Sequence, residues 1–175
     1  MDTVIRAEEQ APQFQLPDLR NKLYSLRDFR GWIVVLNFWS AECNWCERVD
    51  QELITFLDSW KDHARVLWIA SNANESRDLI QKVATDRNLP VVLLDAYQQV
   101  ADLYGAQTTP HFFVLDAKRN LRYQGSWDDV TFRQRVAVKV YVPQVVEALI
   151  QGFDPLISQT PPYGCALVRL PDSEG

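Results

Sequence analysis

The eight residues Trp32-Ile33-Val34-Val35-Leu36-Asn37-Phe38-Trp39 are apolar at every position but one. A strand that is apolar on both alternating faces must be covered on both sides, as happens when helices pack on either face of a sheet. Residues 43–60 follow with apolar side chains at spacings of three and four, which predicts an amphipathic helix. This strand and helix restrict the chain to folds in which a central sheet lies between layers of helices.

Further strands and helices alternate along the chain after this pair. The predicted strands are 66–70, 91–94 and 111–115, with 121–124 as a hairpin partner of the last, and the predicted helices are one capped by Ser71 or Asn74 and reaching Asn88 and a short one ending at Gly105. This alternation predicts an α/β fold with a largely parallel central sheet. Before the first buried strand, residues 11–31 predict a β-hairpin and a helical turn.

The sequence after residue 128 gives a weaker pattern. Apolar residues at even positions between Val130 and Val142 predict a strand, but charged residues interrupt them, so an extended loop fits nearly as well. Pro143 suits the first turn of a helix that runs to Ile150. The last 20 residues predict a loop with one short apolar piece, 165–170.

The length of 175 residues suits one domain, 1–175, with a flexible N-terminus at 1–10 and a C-terminal extension at 128–175. The chain has 18 basic and 23 acidic residues, a formal net charge of −5, and no basic block, which argues against nucleic acid as the partner. The polar N-terminus does not resemble a signal peptide, and the longest apolar run is five residues, far below the roughly 20 that span a bilayer. We therefore expect a cytoplasmic protein with no membrane segment.

Three cysteines are too few for a disulfide scaffold, and two of them form the pattern Cys43-Asn44-Trp45-Cys46 at the predicted strand-to-helix turn. This spacing puts both sulfurs on one face of the first helical turn. Unpaired N–H groups and the positive end of the helix dipole favour the thiolate of Cys43, whereas Cys46 is shielded. The pattern predicts disulfide exchange: Cys43 attacks a substrate disulfide, and Cys46 then resolves the mixed disulfide.

A second candidate feature is Thr108-Thr109-Pro110-His111, at the entrance to the predicted strand 111–115. Proline is poorly tolerated inside a central strand, so Pro110 indicates a special backbone such as a cis peptide. A cis bond would leave the Thr109 backbone unpaired and available to bind an extended substrate chain. An ordinary loop proline before an edge strand fits the local sequence equally well.

Three other side chains are candidates for the same site. Trp45, between the two cysteines, is expected to project outward and to contact a bound polypeptide. His111 is expected to be a substrate-binding residue at the rim of the groove. Cys165, in a predicted turn and short strand near the C-terminus, is either a small apolar residue of a docking strand or a third redox cysteine that can reach Cys43 or a partner.

Several stretches together resemble the thioredoxin superfamily, in particular the redoxin or TlpA-like branch of thiol-disulfide oxidoreductases related to the AhpC/TSA proteins. The stretches, spread over roughly residues 11–125, are 11–18 with 25–31, 35–41 followed by the two cysteines, and Tyr104-Gly105 with Thr109-Pro110 and 113–116. The resemblance implies an α/β thioredoxin-like fold: a central mixed β-sheet flanked by helices, with an N-terminal β-hairpin extension and a C-terminal tail.

The same resemblance implies Cys43 as nucleophile, Cys46 as resolving cysteine and Pro110 beside them, without a cofactor. It also implies a redox-active disulfide that exchanges with protein dithiols or disulfides, an electron-donating or electron-accepting redox partner, and a role in redox homeostasis. The chain departs from thioredoxins at Asn37, where they have a buried aspartate for proton transfer, so water or another carboxylate must take that role.

Two other functions fit parts of the sequence. Peroxiredoxins have a proline seven residues and a Ser or Thr three residues before the reactive cysteine; here these positions are Leu36 and Ser40, so only the hydroxyl is present. In a metal-binding protein, the cysteine pair would need further ligands. No second closely spaced pair exists for zinc, and copper proteins of this fold separate their cysteines by three residues, so we assign no metal.

Overall fold

The computed structural model describes residues 5–171, and its elements follow the predicted alternation. The strands are β1 (Gln15–Pro17), β2 (Leu23–Ser25), β3 (Ile33–Trp39), β4 (Ala64–Ala70), β5 (Val92–Leu94), β6 (Thr108–Thr109), β7 (His111–Leu115), β8 (Leu121–Gly125) and β9 (Cys165–Ala166). The helices are α1 (Asn44–Leu53), α2 (Leu57–Trp60), α3 (Arg77–Asp86), α4 (Gln99–Tyr104) and α5 (Tyr141–Ile150), with 3₁₀ turns at Leu26–Phe29 and Ile54–Phe56.

The central sheet has five strands in the order β5-β4-β3-β7-β8. Strands β3, β4 and β5 are parallel, whereas β7 is antiparallel to both β3 and β8. The sheet is therefore mixed, as the resemblance implied, and less parallel than the alternation alone predicted. The predicted N-terminal hairpin is confirmed, because β1 and β2 pair antiparallel.

Strand β3 is buried at all seven positions and contributes to both hydrophobic clusters of the core. Val35 and Trp39 face one cluster with residues of α1, α3 and α5, while Leu36 and Phe38 face the other with residues of α4 and the N-terminal hairpin. This two-sided burial is what the apolar run predicted.

Two helices have other boundaries than the sequence predicted. The amphipathic pattern over 43–60 is divided at Leu53 into α1, a 3₁₀ turn and α2. Helix α3 begins after Ser76, whose hydroxyl accepts from the Leu79 N–H at 3.2 Å, rather than after Ser71 or Asn74. Ser71 instead donates its hydroxyl proton to the buried Asp95 carboxylate at 2.8 Å.

The N-terminal segment was expected to be flexible over residues 1–10. Residues 1–4 lie outside the described part of the chain, residues 5–10 contact the end of the sheet, and their flexibility stays a prediction. Ile5 is buried, its carbonyl oxygen accepts from the Gln124 side chain at 3.2 Å, and Gln10 forms a bridge with Asn120.

Past residue 128, the chain first forms turns and then helix α5. Residues 130–139 form no strand, and Val136 and Val138 are exposed, so the loop interpretation is correct there. Helix α5 buries Val142, Val145 and Val146 in the larger cluster and so belongs to the helical cover of the sheet. No helix within residues 5–171 has the length and apolar character to cross a membrane.

Candidate active site

The two cysteines lie where the central strand passes into α1. Cys43 is the N-cap residue of this helix and Cys46 lies in its first turn. Both are free thiols and both are buried: Cys43 is 3% exposed and Cys46 is fully covered. A dithiol with one sulfur at a helix N-terminus and the other one turn inside the core is therefore present as predicted.

The two thiols have opposite proton affinities. A hydrogen bond from the Cys46 thiol is the main reason that the pKa of Cys43 falls to about 4, although burial acts in the other direction. Burial raises the pKa of Cys46 well above its usual value, and the adjacent Cys43 raises it further. At neutral pH, Cys43 is therefore the thiolate and Cys46 is the proton donor that stabilises it.

The peptide bond between Thr109 and Pro110 is cis. The Thr109 carbonyl oxygen lies 3.1 Å from the Cys43 sulfur, which donates to this oxygen when protonated. Of the two interpretations of Pro110 that the sequence left open, the structure has the cis bond beside the reactive cysteine.

The backbone of Thr109 is not free, contrary to the sequence prediction. Strand β9 pairs antiparallel with β6, so that Thr109 lies opposite Cys165 and Thr108 opposite Ala166. The protein's own C-terminal tail thus occupies the edge at which an extended substrate chain was expected to bind.

Trp45 does not project freely into solvent. It is half-buried, and its ring packs edge-to-face against Tyr163 of the tail, with the ring centroids 5.0 Å apart. A polypeptide can therefore contact the Trp45 ring only where Tyr163 leaves it uncovered or moves away.

His111 is not at the rim of a groove, and this expectation is wrong. The side chain is 3% exposed in the buried strand β7, where Nδ1 accepts from the Gln107 N–H at 3.2 Å and the ring lies 4.6 Å from that of Phe113. Burial lowers the pKa of His111 to about 4, so the ring is neutral at pH 7. The available signal was the continuous apolar run that follows His111, which is typical of a strand buried on both faces.

Glu75 is a site residue that sequence reasoning missed. Its carboxylate accepts from the Ser40 hydroxyl at 2.7 Å and from the N–H groups of Ala41 and Glu42 at 3.0 Å. It thereby fixes the loop that leads into Cys43. Because the Ser40 hydroxyl is engaged by Glu75, it is not free to orient a peroxide. No local pattern marks Glu75, which precedes α3 and reaches the loop only through the fold.

Asp50 is a second missed residue, buried on the same face of α1 as Cys46. Its carboxylate accepts from the indole N–H groups of Trp39 and Trp68 at 2.7 and 2.8 Å and from the Arg87 guanidinium at 2.9 Å. Burial raises the pKa of Asp50 despite these donors. The signal was an acidic residue within the apolar face of an amphipathic helix, which requires buried partners.

Beside Asp50, a cleft of about 390 Å³ opens toward solvent. Asp50 thus lies between this cleft and the Cys46 side of the core, and its charge contributes to the raised pKa of Cys46. It is the buried carboxylate of the site, whereas Asn37 takes the position of the thioredoxin aspartate. Within residues 5–171, no group of three His, Cys, Asp or Glu side chains is arranged to hold a metal ion.

A mixed sheet flanked by helices, with a dithiol at the N-terminus of the helix after its central strand and a cis-proline loop facing it, defines a thioredoxin-fold redox protein. The sequence also matches the AhpC/TSA family model over residues 7–124, and the chain belongs to this family. The fold, the dithiol and the ResA relative described next identify it as a thiol-disulfide oxidoreductase.

Known proteins similar to this chain support both the fold and the activity. The thiol-disulfide oxidoreductase ResA of Halalkalibacterium halodurans is 28% identical over 156 residues, which cover 89% of this chain and 79% of ResA. An uncharacterized conserved protein of Geobacillus kaustophilus has the same structure with a TM-score of 0.89 at 25% identity, covering 98% of this chain and 96% of that one.

A more distant structure shows the fold alone. The thioredoxin domain of a thiol-disulfide oxidoreductase from Bacteroides vulgatus superposes with a TM-score of 0.62 at 20% identity, over 75% of this chain and 93% of the domain. About a quarter of this chain lies outside the region matched by that domain.

Proposed function

We propose that this protein exchanges disulfides with polypeptide substrates, with Cys43 as the attacking thiol and Cys46 as the resolving thiol. The Cys43 thiolate attacks one sulfur of a substrate disulfide, forms a mixed disulfide and expels the other substrate thiolate. Cys46 then attacks the Cys43 sulfur, which releases the second substrate thiolate and leaves the Cys43–Cys46 disulfide. A redox partner returns this disulfide to the dithiol.

The observation that carries the proposal is the position of two thiols one helical turn apart, Cys43 as the N-cap residue of α1 and Cys46 inside its first turn, with the pKa of Cys43 lowered and that of Cys46 raised. A thiolate at Cys43 is needed for attack, whereas a protonated, buried Cys46 is prevented from competing for substrate. Once Cys43 is part of a mixed disulfide, its negative charge is gone and one cause of the raised pKa of Cys46 disappears. Cys46 therefore becomes more nucleophilic at the step at which it must react.

The engaged Ser40 hydroxyl favours disulfide exchange over peroxide reduction. A peroxidase needs donors that orient the peroxide at the reactive sulfur, and here Glu75 accepts the Ser40 proton. The pairing of β6 with β9 supports a polypeptide substrate, because an extended chain already binds at this edge.

The test is reduction of insulin by dithiothreitol, followed by turbidity, with the wild type, Cys43→Ser, Cys46→Ser/Cys165→Ser and, as a control, Lys82→Ala at an exposed position of α3. We expect Cys43→Ser to lose all acceleration and Cys46→Ser/Cys165→Ser to accumulate a mixed disulfide on Cys43. Consumption of hydrogen peroxide by the reduced protein at a rate equal to that of disulfide reduction would contradict the assignment. Full activity of Cys43→Ser would contradict the role of this residue.

A further inference from the structure

Three cysteines meet at the active site, and only two of them belong to the exchange described above. The third, Cys165, lies opposite Thr109 in the β6–β9 pair, and the Thr109 carbonyl oxygen is 3.1 Å from the Cys43 sulfur. The Cys165 thiol is close enough to Cys43 that each affects the pKa of the other. Cys165 also packs against the cluster that contains both Cys43 and Cys46.

The tail that carries Cys165 is held at several independent points. Tyr163 packs on Trp45, the Leu167 N–H donates to the Gln107 carbonyl at 3.1 Å, and the Val168 N–H donates to the Asn72 side chain at 2.8 Å. An ion pair of 2.7 Å joins Arg169 to Asp102. Contacts before and after Cys165 in the sequence therefore fix its position beside Cys43.

The backbone of the tail packs directly against the cis-proline loop. A Cβ atom at Gly164 would overlap the Thr109 carbonyl group and touch the Pro110 ring. Glycine at this position is required for the tail to lie flat against the loop. The tail therefore lies as an extended peptide against the cis-proline loop, with Cys165 opposite Thr109.

We propose that the tail segment Tyr163–Leu167 is an internal substrate of the site and that Cys165 is a second resolving thiol, which forms a disulfide with Cys43. After Cys43 has formed a mixed disulfide and the tail has returned to β6, the Cys165 thiolate attacks the Cys43 sulfur, the bond to the substrate sulfur breaks, and the substrate leaves as a thiolate. Cys46 then attacks the Cys43 sulfur of the Cys43–Cys165 disulfide and releases Cys165. The substrate disulfide is the only oxidant, and it takes up two electrons.

The protonation of Cys165 is consistent with this order of steps. Burial raises its pKa to about 12, and the neighbouring Cys43 raises it as well. In the fully reduced protein, Cys165 is therefore a proton donor to the Cys43 thiolate and does not compete for substrate. Formation of a disulfide at Cys43 removes the negative charge and thereby one cause of the high pKa of Cys165.

The inference rests on the proposed nucleophilic role of Cys43, and the experiment separates the two. The Cys46→Ala variant is treated with oxidised glutathione, quenched with acid and analysed by intact mass and peptide mapping. We expect a Cys43–Cys165 disulfide to accumulate, with release of two glutathione thiols and little remaining adduct. The matched control Cys46→Ala/Cys165→Ser is expected to keep one stable glutathione adduct on Cys43.

The result that overturns the inference is a glutathione adduct on Cys43 that persists at least as long in Cys46→Ala as in the control. Failure of the control to form any adduct on Cys43 would instead overturn the proposed nucleophile. Since Cys46 is fully buried, Cys46→Ser is tested in parallel, and whichever variant retains the wild-type circular dichroism spectrum decides.

Discussion

Cys43 and Cys46 are separated by one helical turn, yet their pKa values move in opposite directions. Residue types and spacing alone predicted the order of attack, because a cysteine at a helix N-terminus favours the thiolate. The structure adds that Cys46 itself is the main stabiliser of that thiolate. This contribution depends on side-chain contact, so no sequence pattern could reveal it.

The pH dependence of Cys43 alkylation tests this contact. Because its pKa is lowered to about 4, the rate of reaction with iodoacetamide should rise through pH 4 and be nearly constant above pH 6. Cys46→Ala should move the midpoint to higher pH, since it removes the largest stabilising contact. Mass spectrometry of the Cys43 peptide measures the rate, and a wild-type midpoint near the ordinary value of about 8.5 would refute the expectation.

Asp50 provides a stability prediction at the same scale. Asp50→Ala leaves Arg87, whose side chain is 17% exposed, and two indole N–H groups without their acceptor. Loss of one partner of a buried ion pair costs about 3–5 kcal/mol, so we expect a loss of this order in the free energy of unfolding by urea.

The control for Asp50 is Lys82→Ala, which removes the exposed partner of the Lys82–Asp86 ion pair. An exposed pair contributes about 0–1 kcal/mol, so the control should unfold close to the wild type. Equal losses in the two variants would mean that the hydrogen bonds to Asp50 do not hold α1 against the sheet.

At the scale of elements, the strands with continuous apolar runs were predicted within one or two residues. Strand β3 is an example, because burial on both faces leaves no other pattern. Strand β6 and its partner β9 were not predicted as a pair, since each has only two residues and they lie 56 positions apart in sequence. Pairing of this kind depends on where helix α5 directs the chain, which local propensity does not encode.

Gly164→Ala tests the β6–β9 pair. The added methyl group would meet the Thr109 carbonyl group, so we expect the tail to move away and Cys43, now 3% exposed, to become accessible. Alkylation of Cys43 at pH 7 should accelerate by about tenfold or more, an estimate that corresponds to about 1.4 kcal/mol of lost tail docking.

Ala166→Ser is the matched control for Gly164→Ala, because it adds one heavy atom to the exposed side chain two residues further along the tail, in strand β9. It should leave the alkylation rate of Cys43 unchanged. Equal rates in wild type and Gly164→Ala would mean that the tail does not limit access to Cys43.

At the scale of the whole molecule, the fold stabilises the Cys43 thiolate and therefore the reduced state. The pKa of Cys43 is lower in the folded than in the unfolded chain, which raises the free energy of unfolding. This contribution is complete above the pKa of the unfolded chain, partial at pH 7, and lost as the pH falls through about 4. The Cys43–Cys46 disulfide lacks this contribution, and its short loop constrains the unfolded chain little.

We therefore expect the reduced protein to unfold at a higher urea concentration than the disulfide form at pH 7, with the difference shrinking toward pH 4. The measurement uses a Cys165→Ser background so that only one disulfide forms, and Cys43→Ala in the same background serves as a redox-insensitive control. Because the fold stabilises the reduced form, the Cys43–Cys46 couple should be less reducing than that of thioredoxin. The reduction potential of thioredoxin is about −270 mV. A disulfide form that unfolds at a higher urea concentration than the reduced form at pH 7 would contradict this expectation.

The sequence predicted the fold and the reactive pair because both depend on local patterns. It missed the roles of Glu75 and Asp50 and the docking of the tail, because these depend on contacts between distant parts of the chain. The core that surrounds Cys46 and the amphipathic character of α1 are readable from spacing. The positions of Tyr163 and Cys165 depend on the path of the chain after α5, which no local pattern predicts. The cytoplasmic location stays a prediction.

Strand β9 has one more consequence, which concerns the protein's behaviour when no substrate is near. A free two-residue edge beside an activated thiolate would accept extended segments of unrelated chains, including those exposed on misfolded proteins. By pairing Thr108 and Thr109 internally, the tail makes every incoming polypeptide displace a resident strand. Selection among partners thus becomes a competition with a covalently attached peptide at high effective concentration.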